Sequence, residues 1–268
     1  MRSSTKPAVT WARRLFAASL LAKCTAHAQA PAVNINYLEG LLPTAPDAIA
    51  TYGPDMFGDK ASLFSGVLEF QHTDLSLPGN SGLDVALRRK HTAGRSPYVR
   101  GQLGDWDLET PRIEGTFATQ MGWVTGSSGT NRCTGFSAPP LAQPQGILAS
   151  NYWSGTHLNV PGQGAQEVLL RSANFPAAPA DGRSYPLVTH QNWQVGCLAT
   201  IQNGAGEGFF AVSPAGVRYR FDWMAQRQQL SVKSSKLSAA RQDMYLMATE
   251  ATDRFGNWLH YVYDPATP

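Results

Sequence analysis

The stretch Trp193-Gln194-Val195-Gly196-Cys197-Leu198-Ala199-Thr200-Ile201 decides the fold, because Trp193, Val195, Cys197, Ala199 and Ile201 occupy alternate positions. A period of two puts them on one face of a β-strand; a helix needs a period of 3.6. A glycine turn follows (Asn203, Gly204, Gly206, Gly208), and then Phe209-Phe210-Ala211-Val212. Ser213-Pro214-Ala215-Gly216 carries proline at the second and glycine at the fourth position of a type I turn. Beyond it Val217, Tyr219 and Phe221 point one way and Arg218, Arg220 and Asp222 the other.

The same grammar extends in both directions. Leu68 and Phe70 alternate with Glu69 and Gln71, and Leu75 and Leu77 flank Ser76. A turn at Pro78-Gly79-Asn80-Ser81-Gly82 leads to Leu83, Val85 and Leu87, so this region reads as a hairpin. Trp106 and Leu108 oppose Asp105, Asp107 and Glu109, and Ile113, Gly115 and Phe117 continue the alternation towards Trp123 and Val124. Residues 125–165 are rich in Gly, Ser, Pro and Asn and read as surface connections, with a short strand near 151–159. Glu167-Val168-Leu169-Leu170 reads as another strand. Residues 235–250 hold good helix formers, yet Met244, Leu246 and Ala248 alternate. Arg254-Phe255-Gly256-Asn257 then turns the chain into Trp258–Tyr263, which predicts a closing hairpin. The expected class is all-β: hairpin-rich antiparallel sheets forming a sandwich or a partial shell.

Of the 268 residues, 43% are hydrophobic and 15% charged, enough to build a core and too few charges for wholesale disorder. Arg2, Lys6, Arg13 and Arg14 precede the apolar run Leu15–Ala22, and Ala26-His27-Ala28 supplies a small-residue cleavage site. Residues 1–28 therefore read as a signal peptide, the Arg13-Arg14 pair also fitting twin-arginine export. The expected address is periplasmic, extracellular or cell-surface, with the membrane met only during export. Residues 29–61, broken by Pro31, Pro43, Pro46 and Pro54, read as an irregular lead-in, and 62–268 as the β-rich domain. Five of the 22 basic residues and none of the 19 acidic ones lie in 1–28, so removing that segment turns the net charge from +3 to −2. A global basic pull on nucleic acid disappears with it. Cys133 and Cys197 remain, an even pair suited to a disulfide in an oxidising compartment.

Three segments resemble the N-terminal, pre-repeat region of rearrangement-hot-spot (RHS), or YD-repeat, proteins. They are Phe64-Ser65-Gly66-Val67-Leu68-Glu69-Phe70 with Thr73–Gly79 and Gly82–Val85; Gly104-Asp105-Trp106 with Pro111-Arg112-Ile113; and Asp253-Arg254-Phe255-Gly256-Asn257 with Tyr261-Val262-Tyr263-Asp264. The third is similar to the turn and strand end that name the family. The likeness covers about 62–124 and 193–264. It implies an exported, non-catalytic scaffold of a shell whose toxin or effector lies in a C-terminal region absent here. Protein partners or downstream repeats would be its neighbours. In this reading Asp253, Arg254, Gly256, Asn257, Tyr261, Tyr263 and Asp264 are structural. Only one copy of the motif is present, four residues before the sequence stops, which suits a split gene or a stand-alone relative.

Other residues carry weaker chemistry. Asp105, Asp107 and Glu109 on one strand face, about 7 Å apart at alternate positions, would suit calcium or an acid pair, but read first as a solvated face. His72 beside Asp74 is a candidate acid–base couple. Tyr152 and Trp153, in a loop-like neighbourhood, are the aromatic pair expected at the surface. They would be the ligand platform of the alternative function, a secreted carbohydrate-binding module recognising a cell-surface glycan. Arg88-Arg89-Lys90 reads as a solvated strand end. His91, His157, His190 and His260 lack metal spacing, and Gly204, Gly206 and Gly208 lack the context of a dinucleotide site. No cofactor, metal or catalytic residue is implied.

Overall fold

The computed structural model describes residues 59–61, 68–77, 79, 83, 85–93, 103–126, 129–142, 147–234 and 237–264. The signal peptide, nearly all of the lead-in, Phe64–Val67 and most of the 78–82 turn lie outside the described residues. The lead-in's last three residues are a strand, β1 (Asp59–Ala61).

Every described sheet is antiparallel, as the period-two patterning predicts. β1 joins β2 (Leu68–Leu77), β3 (Val85–Thr92) and β4 (Trp106–Leu108) in a four-stranded meander. The larger sheet runs through β5 (Arg112–Ala118), β6 (His157–Val160), β7 (Gly164–Leu170), β8 (Leu187–Thr189), β9 (Gln194–Leu198), β10 (Gly208–Val212), β11 (Arg218–Ser234) and β12 (Leu237–Thr252). Each strand pairs with the next in sequence, and β12 returns to pair with β5, closing an eight-stranded up-and-down barrel. A short β13 (Trp258–His260) adds to the exposed end of β12.

Closure consumes the alternation. Ile113, Phe117, Leu158, Val168, Leu187, Val195, Phe209, Phe221 and Leu246 are all buried and form one cluster. Each such side chain stabilises by about 1.5–3 kcal/mol relative to exposure. The barrel interior is therefore filled with side chains, as small barrels allow. Residues 235–250, ambiguous by propensity, are strand because β12 is paired on both sides, with Met244, Leu246 and Ala248 inside. Ala199 is exposed instead of sharing the inner face, because β9 ends at Leu198. The strand expected near 151–159 is a 3-10 turn (Ala149–Asn151) followed by β6.

The connection between β5 and β6 folds over one barrel rim. Cys133 and Cys197 stand at disulfide distance, their Cα atoms 5.4 Å apart, tying this cap to the end of β9. Glu207 makes a second tie: its carboxylate accepts from the backbone N–H of Cys133 and Thr134 and from the Thr134 hydroxyl at 2.7–2.9 Å. Arg132 reciprocates, donating to the carbonyls of Glu207 and Ala205. Burial lowers the pKa of Arg132, and the neighbouring Glu207 opposes that shift. The cap brings Trp123 against Phe117 and Phe209, sealing that end of the core.

Candidate functional site

Two hairpin turns on the opposite rim are built alike. In Ser213–Val217 and Asp253–Asn257 the amide of the fourth residue donates to the first carbonyl, and the first amide donates to the fifth carbonyl. The fourth residue is glycine at positive φ, +85° in Gly216 and +87° in Gly256, a type I turn with a glycine bulge. Ser213 Oγ and Asp253 Oδ1 each accept the amide of the fifth residue. Asp253 also accepts from the Phe255 amide and the Asn257 side chain. Burial opposes ionisation of Asp253, but the hydrogen bonds from Asn257, Phe255 and Gly256 outweigh it and hold the carboxyl below its ordinary range. The DRFGN motif is thus a self-contained structural turn. Arg254 lies over the Phe255 ring at the surface.

The rest of that motif packs down. Tyr261 donates its amide to Thr249 and packs against the core, and Tyr263 Oη donates to the Ala248 carbonyl at 2.6 Å. Tyr263 also stacks on Trp223, and burial pushes its pKa up. Asp264 follows at the surface.

Beneath this segment the β11–β12 ladder shifts register twice, between Arg220 and Phe221 and between Phe221 and Trp223. Asp222 and Thr249 are the two residues left without a cross-strand mate. They meet each other, Thr249 Oγ1 donating to Asp222 at 2.5 Å. Asp222 is 0% exposed and also receives Arg220 Nε at 2.6 Å and Gln202 Nε2. Bulges re-aim side chains in this way. Here they fix Arg220 by a buried carboxylate.

Two clefts open on the barrel's outer wall on either side of Arg220 and Glu250, which line both. One, about 270 Å³, is bounded by Gln202, Trp223, Tyr261 and Tyr263. The other, about 500 Å³, is bounded by Arg183, Phe210, Arg218 and Thr252. Arg183 lies over the Phe210 ring with its guanidinium carbon 5.5 Å from the centroid. Glu250 receives the Thr252 hydroxyl and lies 3.9 Å from His260. Sequence reading missed this groove, since its residues come from five strands and from the segments between and after them. Its one legible trace was the outward row of Arg218, Arg220 and Asp222, of which Asp222 is buried beneath Arg220, Gln202 and Thr249 at the bulge.

The other candidates are dispersed. Asp107 pairs with Arg227 at 2.9 Å, Glu109 accepts from Gln71, and Asp105 is exposed at a turn, its carbonyl facing His91 Nδ1. The expected solvated face is in part an ion-paired contact between β4 and β11. No group of three metal-ligating residues occurs among the described residues. His72 Nδ1 lies 3.1 Å from Asp74, but Arg89 holds the same carboxylate at 2.5 and 2.6 Å. The Arg89 hydrogen bonds, opposed by desolvation, hold the Asp74 carboxyl below its ordinary range, so this carboxylate is shared between His72 and Arg89. With Lys90 buried beside Glu69, the basic strand end is paired, not solvated. Tyr152 is 5% exposed, its hydroxyl donating to the Pro140 carbonyl, and Trp153 packs against both hydrophobic clusters. Of the pair expected at the surface, Tyr152 is part of the core and Trp153 is partly buried against it.

Apolar side chains remain uncovered elsewhere. Leu75 faces Leu87 and Leu77 faces Val85 across the β2–β3 hairpin, and all four are exposed. On the closing segment Phe255, Trp258 and Val262 are exposed as well.

The described molecule is thus a plugged, capped β-barrel with an adjoining small sheet and an arginine-bearing groove on its wall. Compared with known proteins, the chain matches no family model, no curated protein and no solved structure.

Proposed function

We propose that this chain is an exported, non-catalytic structural and interaction module, of the kind its resemblance to the pre-repeat region of RHS/YD-repeat proteins implies. The observation that carries the reading is the β2–β3 hairpin, whose paired Leu75 (55% exposed) and Leu87 (47%) present an apolar face with Leu77 and Val85. Contiguous apolar strand surface of this sort serves association. The filled barrel interior supports a scaffold over a carrier of small apolar ligands. A cysteine pair at disulfide distance suits an oxidising compartment, and no helix among the described residues is long and apolar enough to cross a membrane.

The test is association of the full chain with the product of any YD-repeat reading frame immediately downstream of its gene, followed by sedimentation velocity. A stable complex is expected, and Leu75→Glu with Leu87→Lys, which preserves a cross-strand pair, should weaken it at least tenfold. A chain that stays monomeric alone and with those repeats, or a complex indifferent to the substitutions, overturns the reading.

A further inference from the structure

We propose that the groove on the outer wall of the barrel binds acidic oligosaccharides, with Arg183 and Arg218 as the carboxylate-recognising residues. Among the described residues neither guanidinium has an ion-pair partner within 4 Å, although both line the same 500 Å³ cleft. The nearby Asp181 is engaged by the Tyr185 hydroxyl and the Arg183 amide. Arg220, between the two clefts, is held by the buried Asp222, so its position is fixed before any ligand arrives. Guanidinium forks suit planar carboxylates, which they can grip through two parallel hydrogen bonds, and Arg183 is steadied over the Phe210 ring.

The groove's second half distinguishes a sugar chain from a lone anion. Past Arg220 and Glu250 the wall offers Trp223, Tyr261 and Gln202, an aromatic and hydrogen-bonding surface with no further arginine. A single phosphate or sulfate would use one point of this array. A uronic-acid oligomer would use both halves: carboxylates at Arg183 and Arg218, hydroxyls at Glu250 and at the amide oxygen of Gln202, whose nitrogen Asp222 already holds, and the partly exposed Trp223 and Tyr261 rings at the aromatic end. The larger cleft, about 500 Å³, has the size of a small-ligand site, and the smaller, about 270 Å³, extends it past Arg220 and Glu250. This site is separate from the β2–β3 face, so the two proposals stand or fall independently.

The experiment is calorimetric titration of the full chain with a defined oligogalacturonate, with neutral dextran oligomers, inorganic phosphate and phosphatidylglycerol vesicles as parallel arms. Oligogalacturonate should bind while the other three do not. Arg183→Gln with Arg218→Gln should weaken binding at least tenfold, and the Arg183→Lys, Arg218→Lys pair should weaken it less. Lys233→Gln, an exposed basic residue on another part of β11, should change nothing. Three outcomes overturn the proposal: no oligogalacturonate binding at millimolar concentration, equal binding by the glutamine double variant, or vesicle or phosphate binding with the same arginine dependence. The last would assign the groove to phosphate groups instead.

Discussion

At Gly196 an added Cβ would stand 2.5 Å from the Ser184 carbonyl oxygen and collide with the ring of Phe210, its cross-strand partner. At Gly256 it would meet nothing within 4 Å, and the obstacle is φ of +87° alone. The two glycines thus separate crowding from backbone strain. Gly196→Ala should cost about 2–3 kcal/mol, because backbone and ring must both shift. Gly256→Ala should cost about 1–2 kcal/mol, the penalty of the left-handed region, and Gly256→Asn should recover part of it. Denaturant unfolding of the three variants checks the order; equal losses at both alanines would refute this division. Gly256 was legible in the sequence because its turn is local. Gly196 was not, since Phe210 lies fourteen positions away and Ser184 sits on a loop.

The β12–β13 hairpin depends on a charge held by its own turn. The folded pKa of Asp253 lies below its ordinary value, so the stability it contributes is present above the unfolded pKa of about 3.9 and is lost as pH falls through the folded one. Asp253→Asn should therefore lower the melting temperature at neutral pH, with the gap to the parent protein narrowing below about pH 4. Melting curves from pH 2.5 to 7 test this, and a gap independent of pH would show that shape alone matters. Most elements were readable from alternation, including this hairpin. β11 was followed only to Asp222, because the bulges at Asp222 and Thr249 and the later shift after Gln229 break its period. The same irregularity that hid half a strand creates the buried carboxylate behind Arg220. The alternation fails at the place where the strand bends beside the groove.

At the scale of the molecule, closure is what the sequence could not reveal. Sandwich, partial shell and barrel all use alternating strands; the difference lies in one ladder, β5 with β12, joining Ile113 to Leu246 across the chain. The cap poses a related question, since it is held both by the Cys133–Cys197 pair and by Glu207 with Arg132. A covalent link across 64 positions acts chiefly by restricting the unfolded chain, a contribution of about 4 kcal/mol in the entropic account. The Glu207 hydrogen bonds act in the folded state, where charge-assisted bonds contribute about 1.5–3 kcal/mol each. Replacing both cysteines with serine should therefore lower the melting temperature by on the order of 10 °C, yet leave the near-ultraviolet signal of Trp123 intact at room temperature. Glu207→Ala should do the reverse in kind, loosening the Trp123 environment while the crosslink still limits the unfolded chain. If the serine variant loses the Trp123 signal before it melts, the crosslink holds the cap down in the folded state. If its melting temperature does not move, the link adds nothing to the hydrogen-bonded latch.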